Sequence, residues 1–390
     1  MIRQPHWRLP DGVDELLPPE AGRLERLRRQ VLDVFRGWGF EYVEPPLIEY
    51  LDALLVGSGH DLDLQTLKVV DQRTGRLLGV RADMTSQAAR IDAHGRPSDG
   101  VQRLCYAGSV VHANPAAVLD SRVPLKAGAE IFGSPSLSAD AEVVALLVAV
   151  LETAGVAAPL LVLGHMGIYR GLVAALGLGD DEQRALFSAV QSKSESDIGE
   201  LLGDRDGAGM LVRLPTLMGR QDVLDDARQV LRPAPPAVAE ALDALTELAE
   251  LVAARCPGVE LRFDLAELAG YGYHNGPVFS AYQADRGRAV ARGGRYDGIG
   301  AVFGRGRPAT GFDVSLKELV APGGALERAI WAPWVQGGPE RRALQAALTE
   351  LRSKGEIVIA AVSAEDAAPE RCDRTLVATA DNWVVRPLGR

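Results

Sequence analysis

Two stretches of short apolar strands flank a long segment, residues 167–255, that is almost wholly helical, and this pattern most constrains the fold. The predicted strands are Phe40–Val43, Thr66–Val70, Arg76–Arg81, Arg103–His112, Leu125–Phe132 and Leu160–Leu163 before that segment, then Glu260–Leu265, Val278–Gln283 and Arg288–Ala291 after it. Turn residues separate successive strands, which indicates antiparallel pairing. Runs of strands with segregated helices favour an α+β fold over a doubly wound one.

The helical signals divide the chain into four segments. A helix follows Pro18-Pro19, another spans Met84–Ile91, and a third runs from Ser138, the expected N-cap, to Thr153. After Leu319 the pattern predicts a link of little structure, then one helix and one strand. The predicted segments are a first core part (1–165), a helical insertion (166–256), a second core part (257–320) and a small C-terminal α/β module (321–390).

Charge and cysteine content narrow the function. The net charge is −10, and nucleic-acid binding requires clustered positive charge, so non-specific binding to nucleic acid is disfavoured. Three separated cysteines, Cys105, Cys256 and Cys372, form no disulfide framework. The N-terminus shows no secretory signal, and the apolar run Val143–Leu151 is too short to span a membrane. A cytoplasmic protein is expected.

The common catalytic and cofactor motifs are absent from the sequence. It contains no phosphate-binding P-loop, dinucleotide fingerprint, nucleophile elbow or zinc-protease helix. The histidines at positions 6, 60, 94 and 165 lack partners at metal-ligand spacing. We expect no metal and no cofactor.

Four local strings could form a ligand site, and each also has a structural interpretation. Residues 293–298 could bind an anion and an amine, or form a tight turn with solvated charges. Residues 271–276 could line a pocket or a bend. Asp83 and Thr85 could hold an ammonium group or cap the following helix. Glu130 lies in an apolar strand, where it could face either a site or solvent.

In their order along the chain, these strings resemble the class II aminoacyl-tRNA synthetases, and the histidyl enzyme in particular. The resemblance extends from Leu9 to Leu319 and rests on Phe40–Leu47 as the dimer-forming first motif, Arg81–Thr85 as the amino-acid turn, Tyr106–Gly133 as the second motif, Gly270–Gly276 and Gly293–Gly298 as the histidyl strings, and Gly311–Leu319 as the third motif. It implies an antiparallel sheet with flanking helices.

The resemblance also implies a histidine-binding site. Asp83 and Thr85 match the residues that meet the amino group, and Glu130 and His274 match those that meet the imidazole, with Tyr273 beside them. Lys126 occupies the place of a glutamine that holds the amino group, and would set ammonium against ammonium. Binding of the effector at a subunit interface is therefore the alternative.

The positions expected to drive adenylate formation depart from the synthetase pattern. His112, Glu318 and Ala269 stand where the histidyl enzyme places arginines. Each lost charge-assisted contact is worth roughly 1.5–3 kcal/mol, so adenylation should fall by several powers of ten. The tail 321–390 carries equal numbers of acidic and basic side chains, which disfavours tRNA binding. No catalytic residue is predicted.

A synthetase-like core with these losses is similar to the regulatory subunits of ATP phosphoribosyltransferase, which act in the first step of histidine biosynthesis. That resemblance implies a non-catalytic chain that activates a short-form catalytic subunit, relays feedback inhibition by histidine, and self-associates through a class II-type dimer interface within a hetero-oligomer, expected to be an octamer. The alternatives are an active histidyl-tRNA synthetase or adenylate-forming paralogue, and a free histidine sensor with another target.

Overall fold

The computed structural model describes residues 7–56, 60–95, 98–114, 120–268, 274–283, 287–320, 323, 325–380 and 382–389. The chain forms two compact units. The larger unit comprises Met1–Glu15 and Leu24–Val320, and the smaller comprises Leu16–Arg23 and Ala321–Arg390. The four-segment division expected from the sequence stays a prediction.

A nine-stranded sheet forms the centre of the larger unit. The strands of this unit are β1 (Glu41–Tyr42), β2 (Ile48–Tyr50), β3 (Leu67–Val70), β4 (Leu77–Val80), β5 (Gln102–Ser109), β6 (Leu125–Phe132), β7 (Leu160–His165), β8 (Met218–Gly219), β9 (Glu260–Asp264), β10 (Pro277–Tyr282), β11 (Ala289–Arg295) and β12 (Ala309–Ser315). The main sheet has the order β1-β5-β6-β12-β11-β10-β7-β9-β8. Its pairings are antiparallel except β1 with β5 and β7 with β9. Strands β2, β4 and β3 form a separate antiparallel sheet.

Helices flank the sheet, and most of the chain between β7 and β9 is helical. They are α1 (Glu20–Gly37), α2 (Leu51–Leu55), α3 (His60–Gln65), α4 (Thr85–Arg90), α5 (Leu137–Thr153), α6 (Met166–Ala174), α7 (Asp180–Gln191), α8 (Glu195–Leu202), α9 (Ala208–Arg213), α10 (Val223–Val230), α11 (Pro236–Arg255) and α12 (Leu316–Leu319). A π-helical turn, Ile91–Gly95, extends α4, and 3₁₀ turns lie at Leu214–Thr216 and Ile299–Phe303.

Apolar packing buries one face of the main sheet. Phe35, at the buried face of α1, packs edge-on against Phe312 of β12, with ring centroids 6.1 Å apart. Helix α5 is buried along most of its length and packs against α11 and β12. On the opposite face of the sheet, Leu104 and Tyr106 of β5 pack with Ala88 of α4.

The smaller unit is an α/β module. Strands β13 (Ala329–Ala332), β14 (Val358–Ala360), β15 (Cys372–Ala378) and β16 (Trp383–Pro387) form a sheet in the order β14-β13-β15-β16, and α13 spans Gly338–Ser353. Leu344 and Leu348 of α13 pack against Ile330 and Leu376. The expected link of little structure is wrong, because it contains β13, a strand with partners on both sides.

Three local predictions in the larger unit also need correction. Ser136, not Ser138, caps α5, and its side chain accepts a hydrogen bond from the backbone N–H of Ser138. Strand β11 continues to Arg295, so residues 293–295 form part of a strand and not a tight turn. The helical segment contributes one short strand, β8, which pairs with β9 at the sheet edge. No described helix is long and apolar enough to cross a membrane.

Candidate functional site

The strand register brings the candidate residues to one face of the main sheet. Glu130 lies opposite Leu104 of β5 and Gly311 of β12. Two residues earlier on β6, Gly128 lies opposite Tyr106 and Asp313. Directly paired residues of an antiparallel sheet share a face, as do residues i and i+2 of a strand. Lys126, two residues before Gly128, therefore lies on this same face, which we call the site face.

Glu130 is the buried centre of the site face. Its side chain is 1% exposed. Tyr106 donates to Oε1 at 2.8 Å, and Tyr296 donates to Oε2. Burial raises the pKa of Glu130 to about 8, although the two phenols and Thr85 act in the opposite direction. A carboxyl held between two phenols in an apolar setting is suited to meet an N–H group of a ligand.

Glycines make the room that these side chains occupy. A Cβ on Gly311 would lie 1.5 Å from Oε2 of Glu130, and one on Gly128 would lie 2.5 Å from the Tyr106 hydroxyl oxygen. A Cβ on Gly294 of β11 would lie 2.7 Å from Cδ2 of His274. Any other residue at these positions would displace the side chains of the site.

The turn before α4 brings two polar residues to the same site. Asp83 Oδ1 accepts hydrogen bonds from the backbone N–H of Met84 at 2.6 Å and of Thr85 at 3.4 Å. The Thr85 hydroxyl lies 3.2 Å from the hydroxyl of Tyr106, which links the turn to Glu130. Burial raises the pKa of Asp83, Asp313 raises it further, and the positive charge of Lys126 acts against both.

Lys126 is paired rather than free to repel a ligand. Its Nζ lies 2.8 Å from Oδ1 of Asp313. The negative charges of Asp313 and Asp83 raise the pKa of Lys126 against the effect of burial. The ammonium is therefore ion-paired with Asp313, and the negative charge of Asp83 also acts on it.

Five of the six predicted site residues thus cluster at one site. Asp83, Thr85, Lys126 and Glu130 are linked as described, and His274 packs edge-on against Tyr296, with ring centroids 6.2 Å apart. The sixth, Tyr273, lies outside the described residues, as does Ala269. The role of all six residues in ligand binding stays a prediction.

Tyr106, Tyr296 and Asp313 belong to the site, and sequence reasoning missed them as site residues. Tyr106 and Tyr296 stood inside the second-motif and histidyl strings without an assigned role. Period-two alternation through Gly128 and Glu130 indicates which residues of β6 share a face. The partners on β5 and β12 require the strand register, which the sequence does not give.

Two of the positions that differ from synthetases carry no phosphate-binding cation. His112 Nε2 lies 3.1 Å from the carbonyl oxygen of Ala82, and burial together with Lys126 lowers the pKa of His112. Glu318, in α12, is ion-paired with Arg288 at 3.3 Å, and Arg288 also contacts Asp120. A carboxylate here repels the negative charge of phosphate.

The charges of residues 293–298 are structural. Arg295 is 6% exposed, and its Nη2 lies 2.7 Å from Oδ2 of Asp140 on α5. Arg295 also donates to the carbonyl oxygens of Ser134 and Ser136, and Asp297 accepts from the backbone N–H of Ala309. These bonds fasten the sheet to α5 and leave the anion-binding interpretation without support.

The described residues contain no group of three or more His, Cys, Asp or Glu side chains that could hold a metal ion.

Comparisons with known proteins define the class first. The family model for histidyl-tRNA synthetase matches residues 12–319. A solved structure from Bacillus halodurans, titled as an ATP phosphoribosyltransferase regulatory subunit/histidyl-tRNA synthetase, is 27% identical with a TM-score of 0.81 and covers 94% of this chain and 95% of that one. A histidyl-tRNA synthetase from Nostoc, 15% identical with a TM-score of 0.78 over 98% and 97% of the two chains, shares the fold. The chain has a class II histidyl-tRNA synthetase-like fold, which confirms the predicted fold class.

A more specific family follows from the C-terminal segment and the full-length relatives. The family model described as the ATP phosphoribosyltransferase subunit HisZ C-terminal domain matches residues 327–386. ATP phosphoribosyltransferase regulatory subunits of Pseudomonas aeruginosa and Alkalilimnicola ehrlichii are each 49% identical, covering 98% of this chain and 98% and 97% of theirs. The chain belongs to the family of ATP phosphoribosyltransferase regulatory subunits, as its resemblance predicted. It is a non-catalytic subunit in histidine biosynthesis, and that role implies a catalytic partner.

Proposed function

We propose that this chain activates a short-form ATP phosphoribosyltransferase catalytic subunit and that histidine, bound on the site face, relays feedback inhibition. The observation that carries the proposal is the buried Glu130 carboxyl, held by Tyr106 and Tyr296 and joined through Thr85 to Asp83. It supplies a polar group deep in the sheet for an imidazole and a carboxylate at the turn for an amino group.

The chemistry of histidine fits this arrangement. Its imidazole can donate an N–H to Glu130, with His274 packed on Tyr296 as a neighbouring ring. Its ammonium can meet the Asp83 carboxylate and the Thr85 hydroxyl. A ligand that binds one arrangement of the hetero-oligomer more tightly than another shifts the population by its differential affinity. Binding at the subunit interface is the other possible effector site.

The ion pair at Glu318 supports a regulatory role over adenylate formation. A synthetase must hold the ATP phosphates, but here Glu318 and Asp120 surround Arg288 with negative charge. We therefore propose no histidyl-tRNA synthetase activity and no tRNA binding.

The partners and location follow from the same proposal. We propose a hetero-oligomer with the catalytic subunit, expected to be an octamer, in which this chain also self-associates through a class II-type dimer interface. We propose a cytoplasmic location, and the three cysteines of the sequence are free thiols in the structure, which suits a reducing compartment.

The test is an activity assay of the short-form catalytic subunit with and without this chain, titrated with histidine. We expect activation by this chain and reversal of that activation by histidine. Glu130→Gln and Asp83→Asn should weaken the reversal by about tenfold or more. The first variant replaces a carboxyl oxygen that can accept from the imidazole N–H, and the second removes a negative charge that can pair with the ligand ammonium. Glu142→Gln is the control, since its carboxylate pairs with Arg103 and lies on α5, away from the site.

Three results would contradict the proposal. Unchanged rates together with histidine-dependent exchange of pyrophosphate into ATP would show a synthetase. Histidine binding without any effect on the catalytic subunit would show a free sensor with another target. If histidine inhibits the complexes of the Glu130→Gln and Asp83→Asn variants as strongly as that of the unmodified chain, histidine binds at another site.

A further inference from the structure

We propose that Lys126 determines the specificity of the site by binding the α-carboxylate of the amino acid, with Asp313 holding its ammonium in place. This inference rests on the proposed binding of an amino acid at Asp83, Thr85 and Glu130, and it names the group that recognises the acid end of the ligand.

The position of Lys126 suits this role. It shares the site face with Glu130, and the intervening residue on that face, Gly128, carries no side chain. The side chain of Tyr106 fills the space over Gly128, and its hydroxyl contacts both Thr85 and Glu130. Lys126 and Glu130 therefore lie on either side of the Tyr106 side chain along β6, and Asp83 is near enough to Lys126 for their charges to interact.

The charges around Lys126 match a zwitterion. Asp83 and Asp313 supply two carboxylates, and Lys126 supplies one ammonium that interacts with both. A lysine ammonium has three donors, and the contact with Asp313 at 2.8 Å is its one ion pair within the described residues. The remaining donors can meet a ligand carboxylate while Asp83 meets the ligand ammonium, so both ligand charges are paired.

Arg292 is the other cation that could bind the ligand carboxylate in place of Lys126. It lies opposite Asp313 in the register of β11 and β12, and its charge acts on Lys126. Its side chain is exposed and bonds with Tyr282 on β10, the neighbour of β11 on the side away from β12. Arg292 therefore serves as the matched control.

Calorimetric titration with histidine and with histidinol, in which an alcohol replaces the carboxylate, tests the inference on the full chain. We expect the unmodified protein to bind histidine about 10- to 100-fold more tightly than histidinol, the range for one charge-assisted contact. Lys126→Gln should bring that ratio close to one by weakening histidine alone. Arg292→Gln should leave the ratio unchanged. The double variant Lys126→Gln/Asp313→Asn avoids an unpaired Asp313 and should behave like Lys126→Gln.

The outcomes separate this inference from the function on which it rests. Lys126 does not bind the carboxylate if Lys126→Gln and the double variant keep the full preference for histidine over histidinol. The same conclusion follows if both variants bind the two ligands more weakly by equal factors. In either case the proposed histidine site stands. A loss of preference in Arg292→Gln alone would assign the role to Arg292. If the unmodified protein binds neither ligand, the proposed histidine site fails and this inference fails with it.

Discussion

Glu130 shows two opposing effects on one carboxyl group. The hydroxyls of Tyr106 and Tyr296 stabilise its ionised form, and burial, the larger effect, stabilises the neutral form. Its pKa is raised from 4.5 to about 8 in the folded chain. Between these values the folded state binds more protons than the unfolded state, so stability decreases as the pH rises through this range.

We expect Glu130→Gln to flatten the pH dependence of unfolding between pH 5 and pH 8. The unmodified chain should lose on the order of a few kcal/mol across this window at this group, since one pKa unit corresponds to about 1.4 kcal/mol. Urea unfolding at a series of pH values measures the difference. Glu142→Gln is the reference variant, and equal slopes for both variants would contradict the shifted pKa of Glu130.

At the residue scale, the sequence indicated where the site lies but did not identify all of its residues. Asp83 and Thr85 stood out because they lie where a strand ends and a helix begins, and Glu130 stood out because it is a charged residue within an apolar strand. All three belong to strings of the synthetase pattern. Asp313 was missed because its link to Lys126 depends on pairing between β12 and β6, which are far apart in the chain. Arg295 could have been a ligand or a structural residue until its partner, Asp140 on α5, was known.

Helix α5 shows how one residue defines the start of an element. The side chain of Ser136 accepts a hydrogen bond from the backbone N–H of Ser138 at 3.1 Å, so the N-cap lies two residues earlier than expected. Ser138 instead accepts a hydrogen bond from Arg255 of α11 through its hydroxyl.

We expect Ser136→Ala to lower the free energy of unfolding by about 1 kcal/mol, the usual value of an N-cap. Ser138→Ala removes only the exposed hydrogen bond from Arg255 and should lower the free energy of unfolding by less. Chemical denaturation of the two variants in parallel provides the comparison. If Ser138→Ala lowers the free energy of unfolding more than Ser136→Ala does, Ser138 is the N-cap.

Element prediction succeeded where the local pattern was strong. Strand β6 has the bounds that alternation and flanking turns predict, and the β3–β4 hairpin is present. Strand β12 was assigned to a motif and not to a strand, because Gly311 weakens the strand signal. Strand β13 was missed because it is short and lies between glycine-rich turns, and its stability comes from neighbours β14 and β15.

At the scale of the whole molecule, the small sheet presents an apolar face that suits self-association. Ile48, Tyr50 and Val69 are 53%, 37% and 45% exposed, and the register places them on one face of β2, β4 and β3. They lie next to the sequence expected to form a dimer. We therefore expect this face to be the surface through which the chain self-associates.

We expect the double variant Ile48→Asp/Val69→Asp to shift the isolated chain from dimer to monomer, because burying a charge without a partner costs several kcal/mol. Sedimentation velocity measures the change. Val362→Asp, at an apolar residue 81% exposed in the smaller unit, is the control and should leave the mass unchanged. A dimer that survives the double variant would place the interface elsewhere.

The contact between Glu318 and Arg288 also limits how this lineage can change. Arg288 is held by two carboxylates, so a single substitution of Glu318 by arginine would place two guanidinium groups side by side with Asp120 left to balance both. Recovering a phosphate site would require concerted substitutions at several positions, with less stable proteins at the intermediate steps. A substitution at Glu318 alone is therefore expected to leave the chain without a phosphate site and with a less stable fold around Arg288.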